Sequence, residues 1–202
     1  SVFTVQRDAE AWVLRSDDGR ELARAPTVVL ASAGEALRLA GVSDWPIEAI
    51  RGQVSIAPAT GLRLPRVPLA GSGYVLPAVD ERAVFGATAQ RGDADAAVRA
   101  SDHDENLARL ARLTGDLPHL GAESLEGRVG WRWSATDRLP VIGAVPERAA
   151  AGVGSADQPR LLPRQEGLFV FTALGSRGIG VSALGARLLA AWVAGAPSPV
   201  EA

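Results

Sequence analysis

One stretch near the end of the given sequence strongly limits the fold. It is Phe169–Val193, which reads FVFTALGSRGIGVSALGARLLAAWV. The apolar run at its start predicts a buried strand, and the glycines that follow predict a turn. The rest predicts a helix that is apolar nearly all round. A glycine-rich turn between a strand and a helix is also the layout of a nucleotide-binding cradle.

The same stretch holds Gly178, Gly180 and Ala183 at the spacing GxGxxA. A true dinucleotide fingerprint begins where a strand ends, and a second strand with an acidic residue follows about 20 residues later. Here residues 174–177 separate the strand from Gly178, and no second strand follows. We therefore predict that this spacing is not the dinucleotide fingerprint.

Two interpretations of this turn remain. In the first, Gly175 and Gly178 let a ligand approach the backbone, the free N–H groups of the helix favour an electron-rich oxygen, and Arg177 adds a charged donor. In the second, the segment is only a tight turn before a core helix. The residues of the turn do not decide between the two.

Composition excludes several classes of protein. Of the 202 residues, 47% are hydrophobic, and the net charge is −2. These values allow one large domain or two small ones, and they argue against a stand-alone, non-specific nucleic-acid binder. Because the chain has no cysteine and only two histidines, we predict no disulfide, no thiol nucleophile and no metal site.

The sequence also bears on location and completeness. It has no apolar run long enough for a membrane span and no signal peptide, so we predict a cytoplasmic protein. It contains no methionine, which leads us to expect a piece of a longer polypeptide.

The pattern of apolar residues predicts an α+β fold. Strands are expected at a hairpin around Asp17-Asp18-Gly19, at Thr27–Ala31, over residues 47–58, in a hairpin around Asp80-Glu81, and over residues 124–135 and 139–146. Pro77 makes the first arm of the second hairpin an edge strand or a bulged one. Residues 149–164 predict an exposed loop.

Two further helices are predicted. The first covers Glu35–Ala40 and ends at Gly41. The second begins at a Ser101 cap with Asp104 in the capping-box position, and it ends at Gly115. Its buried stripe is expected to consist of Leu107, Leu110 and Leu113.

Arg132 lies within the strand predicted over residues 124–135, in GRVGWRWSATDRLPVIG. An arginine in such a strand is costly unless its charge is paired. Either it is a solvated residue of an edge strand, or its planar guanidinium binds a ligand carboxylate.

Four segments carry a resemblance to a known family. GWRWSATDRLPVIG resembles the GxRxxxxDxxPxIG stretch of FAD-dependent glycine oxidases and D-amino-acid oxidases, and GLFVFTALGSRGIGVSALGARLLA resembles their GLxxxTGxxxxGxxxxPxGxxxLA stretch. Ala173 and Ala183 depart from the second pattern. TVVLASAGE and GYVLPAVDERAVFGAT resemble a strand and a hairpin of that family, with Gly34 one place late in the first. Within the family, IRGQVS, GRVGWRWSATDRLPVIG and ALGSRG are most similar to the oxidoreductase half of its bifunctional, tRNA-modifying members.

The resemblance implies a division into domains. Residues 1–41 and 128–202 would be segments of an FAD-binding domain, and residues 42–127 would be a substrate domain built on an antiparallel or mixed sheet. The ADP-binding GxGxxG unit would lie upstream, so this chain alone is expected to bind FAD weakly or not at all.

The resemblance also implies a site. FAD would be held by Ala33, Gly34, Gly175, Ser176, Arg177, Gly178 and Ile179. Arg132 would bind the carboxylate of the substrate, and Tyr74 would donate to the same group. The alternative for Tyr74 is an ordinary half-buried strand residue.

The implied reaction is oxidation of a C–N bond followed by hydrolysis of the imine. In the tRNA-modifying members it would remove the carboxymethyl group from carboxymethylaminomethyl-uridine at the wobble position, with tRNA as partner. One alternative is oxidation of a free amino acid or another small carboxylated amine. A second alternative is a non-catalytic module that binds a partner or a small carboxylate.

The other polar and aromatic candidates are less specific. His103 is expected to be solvated, and His119 to lie in a loop. Arg51 either shapes the floor of the active site or forms a structural salt bridge. Trp131 and Trp133 either stack on a base or flavin, or pack.

Overall fold

The computed structural model describes residues 1–115, 119–147 and 161–200. The chain forms two compact units, one of Ser1–Glu48 with Trp133–Ala202 and the other of Ala49–Arg132. We call them unit 1 and unit 2. Small sheets are combined with a few helices in the chain, so the α+β fold class is confirmed. The predicted functional boundaries, after residues 41 and 127, stay a prediction.

Unit 1 begins with an antiparallel sheet in the order β1-β2-β3. Its strands are β1 (Thr4–Asp8), β2 (Ala11–Arg15) and β3 (Glu21–Ala25). The turn between β2 and β3 is closed by a hydrogen bond of 3.0 Å, which the Ser16 N–H donates to the Arg20 carbonyl. The hairpin predicted around Asp17-Asp18-Gly19 is therefore confirmed.

A second sheet of unit 1 has the order β11-β12-β4. Its strands are β4 (Val28–Leu30), β11 (Val141–Pro146) and β12 (Arg164–Thr172). β12 is antiparallel to β11 and parallel to β4. In β4 only Val28 and Leu30 are buried, since Val29 points outward and is 42% exposed. Of the predicted loop, residues 149–160 lie outside the described residues.

A helix follows each of the two parallel strands. α1 (Gly34–Leu39) follows β4, and α3 (Gly178–Ala194) follows β12. α1 ends where predicted, because Gly41 adopts a left-handed φ of 70°. The apolar core of unit 1 lies beside α1 and includes Trp12, Leu30, Leu37, Val145, Leu168 and Val170.

The helix α3 is apolar nearly all round, as predicted, but most of its surface is not buried. Only Gly185 and Leu189 are buried, and Gly185 lies so close to Ile142 and Phe171 that an added Cβ would be 2.8 Å from each. Large apolar residues elsewhere on the helix are exposed in the part of the chain that the structure describes, namely Ile179, Leu184, Trp192 and Val193. Hydrophobicity all round a helix thus did not predict burial all round.

Unit 2 is built on a sheet in the order β10-β5-β8-β7-β6, with β9 also paired to β5. The strands are β5 (Ile47–Pro58), β6 (Leu69–Ala70), β7 (Tyr74–Val75), β8 (Arg82–Phe85), β9 (Gln90–Arg91) and β10 (Glu126–Ala135). The helix α2 (Ala100–Thr114) completes the unit. Its apolar core consists of Ala57, Val75, Ala83, Phe85 and Leu110.

The hairpin of β7 and β8 is confirmed, and of the two roles given to Pro77 the edge strand is wrong and the bulge is confirmed. Asp80 and Glu81 both adopt positive φ, as a tight hairpin turn requires. β7 ends at Val75, before the proline, and has β6 on one side and β8 on the other. It is therefore an interior strand. Val75 pairs with Phe85 and Val79 with Arg82, so three residues of the first arm, Pro77 among them, face two of the second, which is a bulge.

The start of α2 also differs from the prediction. The cap residue is Arg99, and neither Ser101 nor any other side chain of the helix caps it. Gln53, which lies on β5, caps the helix instead. Its Oε1 accepts the Arg99 N–H at 2.8 Å, and its Nε2 donates to the Arg99 carbonyl at 2.8 Å. A tertiary contact has replaced the local capping box.

The buried face of α2 is more polar than the predicted leucine stripe. Leu110 is buried, but Asp102, His103 and Asn106 are buried as well. His103 was expected to be solvated, and that is wrong: it is 3% exposed, and its Nδ1 lies 2.8 Å from the Ser55 hydroxyl. This polar face can be buried because residues of β5 form hydrogen bonds and an ion pair with it.

Candidate functional site

Arg132 lies near the end of β10, where it is half-buried. Its Nη2 donates to the Thr88 carbonyl at 2.6 Å. Among the described residues, no carboxylate pairs with this guanidinium. Because a guanidinium has five N–H donors, most of them remain available to a ligand.

A pocket of about 360 Å³ surrounds this side chain within unit 2. It is lined by Gly52, Val54, Tyr74, Ala87 and the β10 residues Arg128–Arg132. Alternation along the strand puts Arg128, Gly130 and Arg132 on one face. Gly130 leaves open space there, because an added Cβ would meet no atom within 4 Å. The pocket therefore has a cationic wall with room in front of it.

Tyr74 lines the same pocket and is half-buried. Burial raises the pKa of its phenol, and the nearby Arg132 charge opposes this in part. The phenol is therefore protonated at neutral pH and available as a donor. The structure thus brings together the two residues expected to bind a carboxylate.

Unit 1 holds the residues expected to bind FAD. Ala33 and Gly34 come just after β4, and the short 3-10 turn Gly175–Arg177 comes just after β12. Because β4 and β12 are parallel neighbours, both segments lie at the same edge of the sheet. Ligands of open α/β sheets bind at the carboxyl ends of the strands, which is where these segments lie.

The first segment is held tightly. The Ala33 carbonyl accepts a bond of 2.9 Å from the Thr172 hydroxyl, and Ala33 has a φ of 52°. A Cβ at Gly34 would lie 2.0 Å from the Trp133 ring, so only glycine fits there. Trp133 is therefore a packing residue of unit 1.

The second segment is open. Gly178 is the first residue of α3, no side chain caps this helix, and Ile179 is 99% exposed. Arg177 donates from Nη2 to the Arg138 carbonyl at 2.8 Å, and Ser176 is exposed. An uncapped helix start presents free N–H groups and a positive dipole end. These groups fit an electron-rich ring edge such as that of a flavin.

The GxGxxA spacing does not form a phosphate loop. β12 ends at Thr172, and both Gly178 and Gly180 are inside α3. The motif's first glycine is therefore not at the end of the strand.

The remaining candidates are Arg51, His119 and Trp131, the last of which also lines the pocket. Arg51 forms a buried ion pair with Asp102 at 2.6 Å, which is the second of the two roles considered for it. His119 lies in an exposed bend. The Trp131 indole donates to the Asp93 carbonyl at 2.8 Å.

Sequence reasoning missed Gly52, Thr88 and Arg128. The first two occur in the quoted segments IRGQVS and GYVLPAVDERAVFGAT, but nothing in those letters shows that they meet at Arg132. Arg128 had a readable signal, since it lies two residues before Gly130 and four before Arg132 on a strand.

The described residues offer neither a metal site nor a membrane-spanning helix. Within residues 1–115, 119–147 and 161–200, no group of three or more histidine, cysteine, aspartate or glutamate side chains is placed to hold a metal ion. No helix in that part of the chain is long and apolar enough to cross a membrane.

Comparison with curated sequences finds close relatives. The chain is 46% identical over 215 residues to the tRNA 5-methylaminomethyl-2-thiouridine biosynthesis bifunctional protein MnmC of Methylibium petroleiphilum, with 100% of this chain and 33% of that protein covered. It is 41% identical over 208 residues to the protein of the same name from Burkholderia multivorans, with 99% and 31% covered. The chain thus spans about a third of the length of these relatives.

Comparison with solved structures gives the same fold. Glycine oxidase from Geobacillus kaustophilus matches with a TM-score of 0.75 and 26% identity, covering 100% of this chain and 50% of that one. Iminodiacetate oxidase from Chelativorans sp. BNC1 matches with a TM-score of 0.73 and 24% identity, covering 98% and 50%. The family model described as FAD dependent oxidoreductase matches residues 1–192. The chain therefore belongs to the DAO family of FAD-dependent oxidoreductases.

Proposed function

We propose that this chain is the oxidoreductase part of an enzyme that cleaves the C–N bond of a glycine-like group, and that its substrate is carboxymethylaminomethyl-uridine at the wobble position of tRNA. The observation that carries the proposal is the Arg132 guanidinium, which has no carboxylate partner among the described residues and shares a pocket with Tyr74. The tRNA substrate is supported by a relative that is 46% identical and is named for the biosynthesis of 5-methylaminomethyl-2-thiouridine in tRNA.

In this proposal unit 2 binds the substrate. Arg132 binds the carboxylate of the glycine-like tail through charged hydrogen bonds, each contributing about 1.5–3 kcal/mol. Tyr74 donates its phenolic proton to the same carboxylate, and the raised pKa keeps that proton in place. Arg128, on the same face of β10, supplies a second cation that suits a substrate carrying phosphates.

Unit 1 holds the cofactor in this proposal. Bound FAD would supply the two-electron oxidation of the C–N bond to an imine, which water would hydrolyse. The N–H groups at the start of α3 and the Arg177 guanidinium donate toward the electron-rich edge of the ring. Gly175, Ser176, Gly178 and Ile179 shape the surface against it, together with Ala33 and Gly34. Residues 1–41 and 128–202 then form the FAD-binding domain, apart from Arg128 and Arg132, which bind the substrate together with residues 42–127.

The test uses the complete polypeptide, meaning this chain with whatever else its gene encodes. FAD-loaded protein is incubated with tRNA carrying carboxymethylaminomethyl-uridine, and the nucleosides are separated by mass after digestion. We expect conversion to aminomethyl-uridine with release of glyoxylate, and loss of conversion in Arg132→Ala at the same substrate concentration. If the carboxymethylaminomethyl-uridine remains unconverted although the protein is folded and loaded with FAD, tRNA is not the substrate.

A second candidate is a free amino-acid or small-amine oxidase. It is favoured by the likeness to glycine oxidase at a TM-score of 0.75. Glycine and iminodiacetate replace tRNA in a parallel assay for glyoxylate. Turnover of these amines without turnover of tRNA supports the second candidate, and binding of carboxylates without any turnover supports a non-catalytic module.

A further inference from the structure

We infer that Thr88 is a positioning residue for Arg132. In a regular strand pair the Thr88 carbonyl would accept the Gln53 N–H, but here the Thr88 hydroxyl accepts it. The carbonyl is therefore left to accept a hydrogen bond from the Arg132 guanidinium. The inference rests on the proposed role of Arg132 in binding a carboxylate. It adds to that role a reason why the guanidinium is held where it is.

The sheet is irregular at this point. Ser55 pairs with Phe85, and Arg51 pairs with Gln90. The four residues 86–89 therefore face the three residues 52–54. One extra residue on one strand is a β-bulge, a feature that re-aims groups and is frequent beside active sites. Thr88 lies inside this bulge and is fully buried.

Thr88 and Gln53 make an incomplete strand pair. Two opposed residues of a regular antiparallel pair exchange both N–H···O=C bonds. The Thr88 N–H does donate to the Gln53 carbonyl at 3.2 Å. The Gln53 N–H, however, donates to the Thr88 hydroxyl at 3.0 Å, and the Thr88 carbonyl accepts from Arg132 at 2.6 Å.

A buried chain of bonds fixes the direction of the hydroxyl. Thr88 Oγ1 donates to Gln90 Oε1 at 3.2 Å, so its lone pairs are left for the Gln53 N–H. Gln90 Nε2 donates to Asp102 Oδ1 at 2.6 Å, and Asp102 is paired with Arg51. The ion pair thus orients Gln90, and Gln90 orients the Thr88 hydroxyl.

Gly52 provides the space for this arrangement. A Cβ at this position would lie 2.7 Å from Arg132 Nη2 and 2.9 Å from the Thr88 carbonyl oxygen. The guanidinium reaches the carbonyl only because no side chain lies between them. Gly52 and Thr88 together define the position of the arginine head group.

The test compares Thr88→Val, which removes the hydroxyl, with Thr88→Ser, which keeps it, in the FAD-loaded complete polypeptide. In Thr88→Val the unpaired Gln53 N–H draws the carbonyl back into the strand pair. The probe is glycolate, the hydroxyl counterpart of glycine, and its Kd is measured by calorimetry. We expect Thr88→Val to raise the Kd about tenfold and Thr88→Ser to leave it within about twofold.

Kinetics give a readout that a purely structural role would not move. Thr88→Val should raise KM for the carboxylated substrate about as much as the Kd, with little change in kcat, because carboxylate binding is the same in the ground and transition states. Gly52→Ala keeps the hydroxyl but displaces the guanidinium. It should raise the Kd similarly, which keeps the test valid if Thr88→Val does not fold.

Two controls separate the explanations. Asn106→Ala removes bonds to the Gln53 carbonyl and the Ser55 hydroxyl, so it should lower Tm and leave the glycolate Kd unchanged. Combined with Arg132→Ala, Thr88→Val should have no further effect on the Kd. The inference is overturned if Thr88→Val and Gly52→Ala bind glycolate normally, or if Thr88→Ser is as weak as Thr88→Val. Native binding by Arg132→Ala alone would instead refute the carboxylate site itself, and the inference with it.

Discussion

Arg51 and Asp102 form an ion pair of 2.6 Å inside unit 2, and both side chains are almost wholly buried. The other nitrogens of Arg51 are also used, since Nε and Nη2 donate to the carbonyls of Asp95 and Ala97, each at 2.6 Å. The arginine thereby joins β5 to the segment before α2. Its charge is paired with the Asp102 carboxylate.

Asp102→Ala should strongly destabilise the protein. The substitution leaves the Arg51 guanidinium buried without a counter-charge, which costs about 3–5 kcal/mol of the free energy of unfolding. Urea denaturation followed by circular dichroism measures the change. Asp104→Ala, at an exposed position of the same helix, is the matched control, and equal stability of the two variants would contradict the prediction.

The stability of the protein should fall in mild acid because of His103. Burial lowers the pKa of this imidazole below its usual 6.5, while Asp102 and Asp104 oppose the shift in part. The unfolded chain then binds the proton more readily than the folded one. Stability is therefore full above the unfolded pKa and is lost as the pH falls from there toward the folded pKa.

The measurement is the free energy of unfolding between about pH 5 and pH 8, where an unperturbed histidine titrates. His103→Gln should flatten the dependence on pH, because it removes the titrating group. His119→Gln, at an exposed position, should leave the dependence as it is. If the free energy of unfolding of His103→Gln depends on pH as steeply as that of the wild type, another group is responsible.

Tyr74→Phe should weaken carboxylate binding modestly. It removes one neutral hydrogen-bond donor from the pocket and leaves Arg132 in place, so a loss of about 0.5–1.5 kcal/mol is expected. The Kd of glycolate in the complete polypeptide measures it. An unchanged Kd would favour the alternative in which Tyr74 is only a half-buried strand residue.

The turn before α3 should affect the flavin and not the fold. A side chain at Gly178 has room within unit 1, since its Cβ would lie 3.6 Å from Leu174 in ordinary contact. Gly178→Val should therefore fold but bind FAD more weakly in the complete polypeptide. Arg177→Ala should lower the midpoint potential of the flavin, because a donor at the ring edge stabilises the reduced form.

FAD titration and potentiometry check both variants of this turn. Gly180→Ala is the control, because its Cβ would meet no atom within 4 Å and alanine favours a helix over glycine. If Gly178→Val and Arg177→Ala keep native FAD affinity and potential, the turn is only structural.

The 202-residue chain alone should retain no FAD. Among the described residues, no strand is followed directly by a GxGxxG turn and a helix, so the phosphates of the cofactor have no cradle. Incubation with FAD followed by dialysis should give a colourless protein. A yellow protein would place the nucleotide site within these residues.

The sequence by itself determined the local elements. β5 follows the prediction for residues 47–58, and the Asp80-Glu81 hairpin and the end of α1 at Gly41 follow from turn chemistry. These features depend on the conformational preferences of neighbouring residues, which are readable along the chain. Arg132 and Tyr74 were picked out as well, because their residue types were unusual for their positions or matched a family pattern.

The tertiary structure alone decided the polar interior and the contacts around Arg132. The capping of α2 joins Gln53 to Arg99, and the contact that holds the guanidinium joins Arg132 to Thr88, positions far apart in sequence. A buried polar group is stable only when a partner is placed within hydrogen-bond distance, and a β-bulge of one residue sets that placement here. The same reason explains the error at His103, since a polar helix face looks solvated until the strand that pairs with it is known.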